Sequence, residues 1–124
     1  MRTDNQKLGA WGEAQASLFL QAENYKIVNT NFEKHNVGEI DIIAWFEDIL
    51  CFIEVKTRQE EEDGSAERAT EFEKKVKKML MVAEYYCLIN NIDVDHTRMR
   101  FEHVSVYVDK ATKKTEIKRF VLPT

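Results

Sequence analysis

Residues 39–57 read EIDIIAWFEDILCFIEVKT. Two runs rich in β-branched and aromatic residues, Glu39–Phe46 and Ile49–Thr57, flank the polar pair Glu47-Asp48. That pattern predicts a β-hairpin. For a symmetric two- or four-residue loop, paired positions sum to 95. Asp41 then stands opposite Glu54, and Glu39 opposite Lys56. The period of two puts Asp41 and Glu39 on one face, with Glu54 and Lys56 beside them. Directly opposed carboxylates destabilise a strand pair. Burial in an apolar hairpin adds a desolvation penalty. A divalent cation removes the conflict, because two carboxylates are hard-oxygen ligands for Mg²⁺ or Mn²⁺. Lys56 would orient an attacking water or stabilise charge on a phosphate. The plainer alternative is a salt-bridge network in which Lys56 bridges Glu39 and Glu54.

Outward from the hairpin the pattern is α/β. Leu8, Trp11, Gln15, Leu18, Phe19 and Ala22 recur at helical spacing between Asp4 and Glu23, with Asp4 or Asn5 as the cap. Gly9 and Gly12 inside that helix suggest close packing on a sheet, or a frayed first turn. A strand is predicted over 25–32, then a turn at His35-Asn36-Val37-Gly38. After the hairpin, Glu60, Glu61, Glu62 and Asp63 open an acidic loop to about Ala69. This is a solvated loop, or one that orders on a metal or partner. Thr70-x-x-Glu73 has the form of a capping box for a long helix. Its apolar stripe is Phe72, Val76, Met79, Leu80, Ala83, Tyr86 and Cys87, and its other face carries Lys74, Lys75, Lys77 and Lys78. Strands at 99–108 and 115–122 complete the order αβββαββ. A central mixed sheet flanked by helices is the natural packing.

The whole chain has 124 residues and a net charge of -4, which suits one domain spanning 1–124. Residues 1–63 hold 6 basic and 13 acidic side chains, and 64–124 hold 12 and 9. The overall acidity argues against an avid nonspecific DNA binder, yet is compatible with carboxylates in a site and cations around it. No apolar run approaches a membrane span, and the N-terminus lacks the apolar stretch of a signal peptide. A soluble cytoplasmic protein is expected, with Cys51 and Cys87 as buried free thiols. The histidines His35, His96 and His103 show no ligand spacing and read as loop or surface residues. Trp11, Trp45, Tyr85 and Tyr86 read as core.

Asp41, followed on the next strand by Glu54-x-Lys56, resembles the restriction-endonuclease-like, PD-(D/E)xK, nuclease superfamily. The finer match is to the YraN-like bacterial family, which resembles Holliday-junction resolvases. It is carried by Gly12-Glu13-x-x-Ala16, Asn24-Tyr25-x-Ile27, Asn31, Gly38–Ala44, Phe52–Lys56 with Arg58, Lys75, Ala83 and Arg100-Phe101-Glu102. The resemblance implies a restriction-endonuclease-like αβββαβ core and a Mg²⁺-dependent, or Mn²⁺-dependent, endonuclease hydrolysing DNA phosphodiester bonds, with branched DNA as one substrate class. It carries over Glu13, Asp41, Glu54 and Lys56 as site residues, the three acids as metal ligands. Glu39 belongs to the signature in a supporting place. Arg58, Lys75 and Lys78 are the candidate contacts to DNA phosphates, and a homodimer is implied by resemblance to resolvases. At the position after Arg-Phe the usual Asp is Glu102 here. The rival readings are a nucleic-acid-binding module without turnover and an interaction protein whose acidic loop docks a basic partner.

Overall fold

Thr3 caps the first helix by closing a capping box. Its Oγ1 accepts the Gln6 amide at 3.1 Å, and the Gln6 side-chain oxygen accepts the Thr3 amide at 2.9 Å. The cap is therefore Thr3 rather than Asp4 or Asn5, because the reciprocal partner lies three residues on. The computed structural model describes residues 3–59, 65–109 and 111–123, with the backbone alone for 65–73. The elements are α1 (Asp4–Ala22), β1 (Tyr25–Lys34), β2 (Gly38–Phe46), β3 (Ile49–Gln59), α2 (Ser65–Ile89), β4 (Arg98–Val108) and β5 (Thr115–Val121). The acidic run 60–63 lies outside the described residues. The α2 backbone is helical from Ser65, so Thr70 lies inside the helix rather than at its start.

The strands form one five-stranded sheet in chain order. β1, β2 and β3 are an antiparallel meander, β3 and β4 are parallel across the α2 connection, and β5 returns antiparallel. The hairpin turns tightly at Glu47-Asp48. Phe46 pairs with Ile49, and Glu47 takes a left-handed φ of 53°, as short hairpin loops require.

A helix covers each face of this sheet. On one, Met79, Val82, Ala83, Tyr86 and Cys87 of α2 pack on Ile40, Ile43, Leu50, Phe52 and Phe101. On the other, Ala16 and Leu20 of α1 pack on Ile42, Ala44, Cys51, Ile53, Val104 and Val106. The fold is thus an α/β layered domain.

The buried face of α1 differs from the expected stripe. It is Gly12, Ala16 and Leu20, while Trp11 and Leu18 are exposed. Small residues win because they let the helix approach the sheet. A Cβ on Gly12 would lie 1.7 Å from Thr57 Oγ1. This close approach places the neighbouring residue, Glu13, beside the strands that carry the acidic motif. Both cysteines are buried and free.

Candidate active site

The hairpin register agrees with the sum of 95 from Phe46–Ile49 back to Ile42–Ile53, and there the ladder stops. The next pair would be Asp41 and Glu54. Instead the strands part, and Asp41 Oδ2 accepts the Val55 amide at 2.7 Å. A side chain has taken the place of a ladder carbonyl. The alternation of β2 slips at this point. Ile40 and Ile43 both belong to the α2-side core, whereas Ile42 and Ala44 belong to the α1 side. Asp41 and Glu39 consequently border a cleft of about 740 Å³ against α1, together with Gly9, Glu13, Thr30 and Asn31.

Asn31 organises that cleft. Its backbone is left-handed, with φ 51°, a conformation that asparagine tolerates better than most residues. Its side-chain amide donates to Glu13 Oε2 at 3.1 Å and to Glu39 Oε1 at 2.9 Å. One neutral group therefore holds two carboxylates beside Asp41. Among the described residues, no lysine or arginine forms an ion pair with Glu13, Glu39 or Asp41. Burial pushes the Asp41 carboxyl up to about 7, opposed by the Val55 amide and reinforced by the charges of Glu13, Glu54 and Glu39.

Glu54 is not among the residues bordering this cleft, and the ladder does not pair it with Asp41 as the register leads one to expect, although its charge still reaches Asp41. β3 keeps its alternation, so Glu54 turns to the α2 side after Phe52. There Lys75 of α2 forms an ion pair with Oε1, and His103 Nδ1 lies 3.9 Å from Oε2. Burial would raise the Glu54 carboxyl, but His103 and Lys75 together hold it below the ordinary glutamate range. Lys75 is thus a strand-facing partner of Glu54, not a wholly solvated cation.

Lys56 is exposed and borders a second cavity of about 420 Å³ with Asn5, Leu8, Gly9, Glu13, Val55 and Thr57. Glu13 lines both cavities and so links Asp41 to Lys56. No hairpin salt bridge from Lys56 to Glu39 or Glu54 is present among the described residues. Arg58 is still within β3, opposite Tyr107, and its Nε is buried without a hydrogen-bond partner among the described residues. Lys78 is exposed one turn from Lys75, its Cβ close to Gly38.

Two features escaped the sequence. His103 is half-buried in β4 beside Glu54, and its Nε2 lies 2.8 Å from Ser105 Oγ, so it is not a surface residue. The parallel β3–β4 register places it there, and nothing local announces that pairing. Glu102 is fully buried. It accepts from Tyr25 Oη at 2.8 and 3.0 Å, from Arg100 Nε at 3.1 Å and from Arg119 at 2.7 Å. The residue after Arg-Phe is therefore a structural anchor joining β1, β4 and β5.

The described side chains include no group of three His, Cys, Asp or Glu already close enough to hold a metal ion together. The donor chemistry nevertheless fits a hard divalent cation. Asp41 keeps Oδ1 without a hydrogen bond among the described residues, and its crowded negative charge has no cationic side chain to balance it.

Residues 12–106 match the model of the uncharacterised protein family UPF0102. A UPF0102 protein of Acetivibrio thermocellus is 35% identical over 121 residues, covering 98% of this chain and 91% of its own. Another, from Clostridioides difficile, is 37% identical over 105 residues, covering 85% and 89%. A third, from Koribacter versatilis, is 39% identical over 105 residues, covering 84% and 71%.

Proposed function

The chain belongs to the UPF0102 family, and we propose that it is a metal-dependent endonuclease acting on DNA, including branched forms. The observation that supports this most is the state of Asp41. It sits at a strand divergence, fixed by the Val55 amide and surrounded by three carboxylates, with its charge unbalanced. A stable fold gains nothing from such an arrangement, whereas a cation and a phosphodiester would complete it. The nuclease-like core belongs to the same proposal: its support is the αβββαβ run, here followed by β5.

The residues take distinct tasks. Asp41, Glu54 and Glu13 would hold Mg²⁺ or Mn²⁺. When bound, that cation supplies an activated water and neutralises charge on the phosphate. The Val55 amide fixes the Asp41 carboxylate, and Asn31 fixes Glu13 and Glu39. Lys56, exposed at the rim near Glu13, stabilises negative charge developing on the scissile phosphate. Lys75, Lys78 and Arg58 meet the flanking phosphates, contacts that position a duplex without reading its sequence.

One observation favours a second reading, a nucleic-acid-binding module without turnover. Glu54 is already engaged by Lys75 and His103. Cleavage assays on branched, flapped and linear DNA with Mg²⁺ or Mn²⁺ separate the two. Metal-dependent cutting that disappears in Asp41→Asn is the expected result. DNA binding with no cutting under any metal or pH would leave the binding module.

A further inference from the structure

Glu54 lies close enough for its charge to act on Asp41, yet its carboxylate is engaged toward α2 and β4. The partner that occupies it there is a cation belonging to the protein itself. Lys75 pairs with Oε1, and His103 stands near Oε2, so both oxygens of the carboxylate face other partners. The Glu54 side chain is only 18% exposed while that of Lys75 is 46% exposed. The anion is therefore fixed within the β3–α2 crevice, and the ammonium sits at its mouth, open to solvent. The ammonium is therefore accessible to an anion from solvent while it is paired with Glu54. α2 also presents Lys74, Lys77 and Lys78 to solvent around it.

From this geometry we infer that Lys75 is a switch residue that masks Glu54, competing with the divalent cation for its carboxylate until a DNA phosphate draws the ammonium away. The inference rests on the metal-dependent reading and deepens it by assigning the order of events. Glu54 turns toward Asp41 only after Lys75 has exchanged one anion for another. Phosphate and cation then bind cooperatively, since each favours the state in which Lys75 and Glu54 are apart. By linkage the coupling acts equally in both directions. The metal centre is thus kept incomplete in the absence of nucleic acid.

Lys75 is a positioning residue in this scheme, so the test is binding rather than cleavage. Mn²⁺ affinity is measured by calorimetry on wild type, Lys75→Ala, Lys75→Arg and Lys78→Ala, with melting temperatures on the same preparations. Lys75→Ala should bind Mn²⁺ about three- to tenfold more tightly, the range expected for removing one partly exposed ion-pair competitor. Lys75→Arg should stay near wild type. Lys78→Ala, which removes the same charge one turn away, should change affinity less than twofold. A second arm measures binding of a short duplex with and without Mn²⁺. The metal should tighten DNA binding by wild type and do so less for Lys75→Ala. Unchanged or weaker Mn²⁺ affinity in Lys75→Ala, or an equal gain in Lys78→Ala, overturns the mask. Equal Mn²⁺ dependence of DNA binding in wild type and Lys75→Ala overturns the exchange. If neither wild type nor Lys75→Ala binds Mn²⁺, the metal reading falls and takes the switch with it. Wild-type binding with no effect of Lys75 removes the switch alone.

Discussion

Glu102 and Asp41 are two carboxylates withdrawn from water on the same sheet, and their surroundings are opposite. Glu102 is fully buried and compensated by two guanidinium groups and a phenol, Arg100, Arg119 and Tyr25. Burial would raise it, but Arg119 and its other neighbours hold it below the ordinary glutamate range. Asp41 has one backbone amide and three negative neighbours, and burial with those charges carries it to about 7. A buried charge with a full set of partners builds structure. One that lacks them marks a place where a partner is to arrive. Two groups of the same chemistry are told apart by what neutralises them.

The largest expected effect comes from breaking the compensated site. Glu102→Ala leaves Arg100 and Arg119 facing a buried gap and should lower stability by about 3–5 kcal/mol in urea unfolding. Mn²⁺ binding by the folded fraction should persist. A loss below about 1 kcal/mol would erase the contrast, because Glu102 would then not be an anchor.

Lys56→Ala probes the uncompensated side. Losing one preorganised charge-stabilising group should slow single-turnover cleavage about 10²–10³-fold. The side chain is exposed, so the melting temperature should hardly move. Lys56→Arg should restore only part of the rate, since a guanidinium differs in size and shape. Lost stability with an unchanged rate would instead assign Lys56 to the fold.

The two carboxylates should also bend the pH profile in opposite directions. Asp41 ionises near 3.8 in the unfolded chain and near 7 in the folded one. The folded state keeps its proton longer, so this group's contribution to stability falls as pH rises between those values. Glu102 has the reverse sign: its contribution is present above the unfolded value and is lost as pH falls through the lower folded one. Asp41→Asn should therefore gain about 1–3 kcal/mol at pH 8, without metal, and under about half of that at pH 5. No difference in gain between the two pH values would mean that Asp41 carries no unbalanced charge.

The smallest effect concerns the helix that faces outward. Replacing Lys75 and Lys78 together by Ala should weaken DNA binding and flatten the dependence of log affinity on log salt by about one to two. An unchanged slope would leave α2 as a solvated face.

Much of this contrast was readable in the chain, and the rest was not for definite reasons. The strands β2 and β3, their register and the unusual Asp41, Glu54 and Lys56 follow from period and turn chemistry over 19 consecutive residues. The separation of Asp41 from Glu54 does not, because the slip at Ile40–Ile42 is set by packing against both helices. Strict alternation cannot anticipate it. The true face of α1 was hidden because Gly12 and Ala16 carry no hydrophobic signal, although they decide how near Glu13 comes to the strands. His103 and the Glu102 cluster depend on contacts between distant segments, Tyr25 with Glu102 lying 77 residues apart. Glu102, where the resemblance leads one to expect Asp, pairs with Arg119 on β5, a partner no local motif contains.

The central claim is that the unbalanced charge at Asp41 is a divalent-cation site. Calorimetric titration of the folded protein with Mn²⁺ tests it directly, comparing wild type with Asp41→Asn at pH 8. The account predicts a saturable site in wild type that disappears in the variant, while Glu102→Gln, where folded, retains it. Equal binding by wild type and Asp41→Asn, or no binding by either, would contradict it.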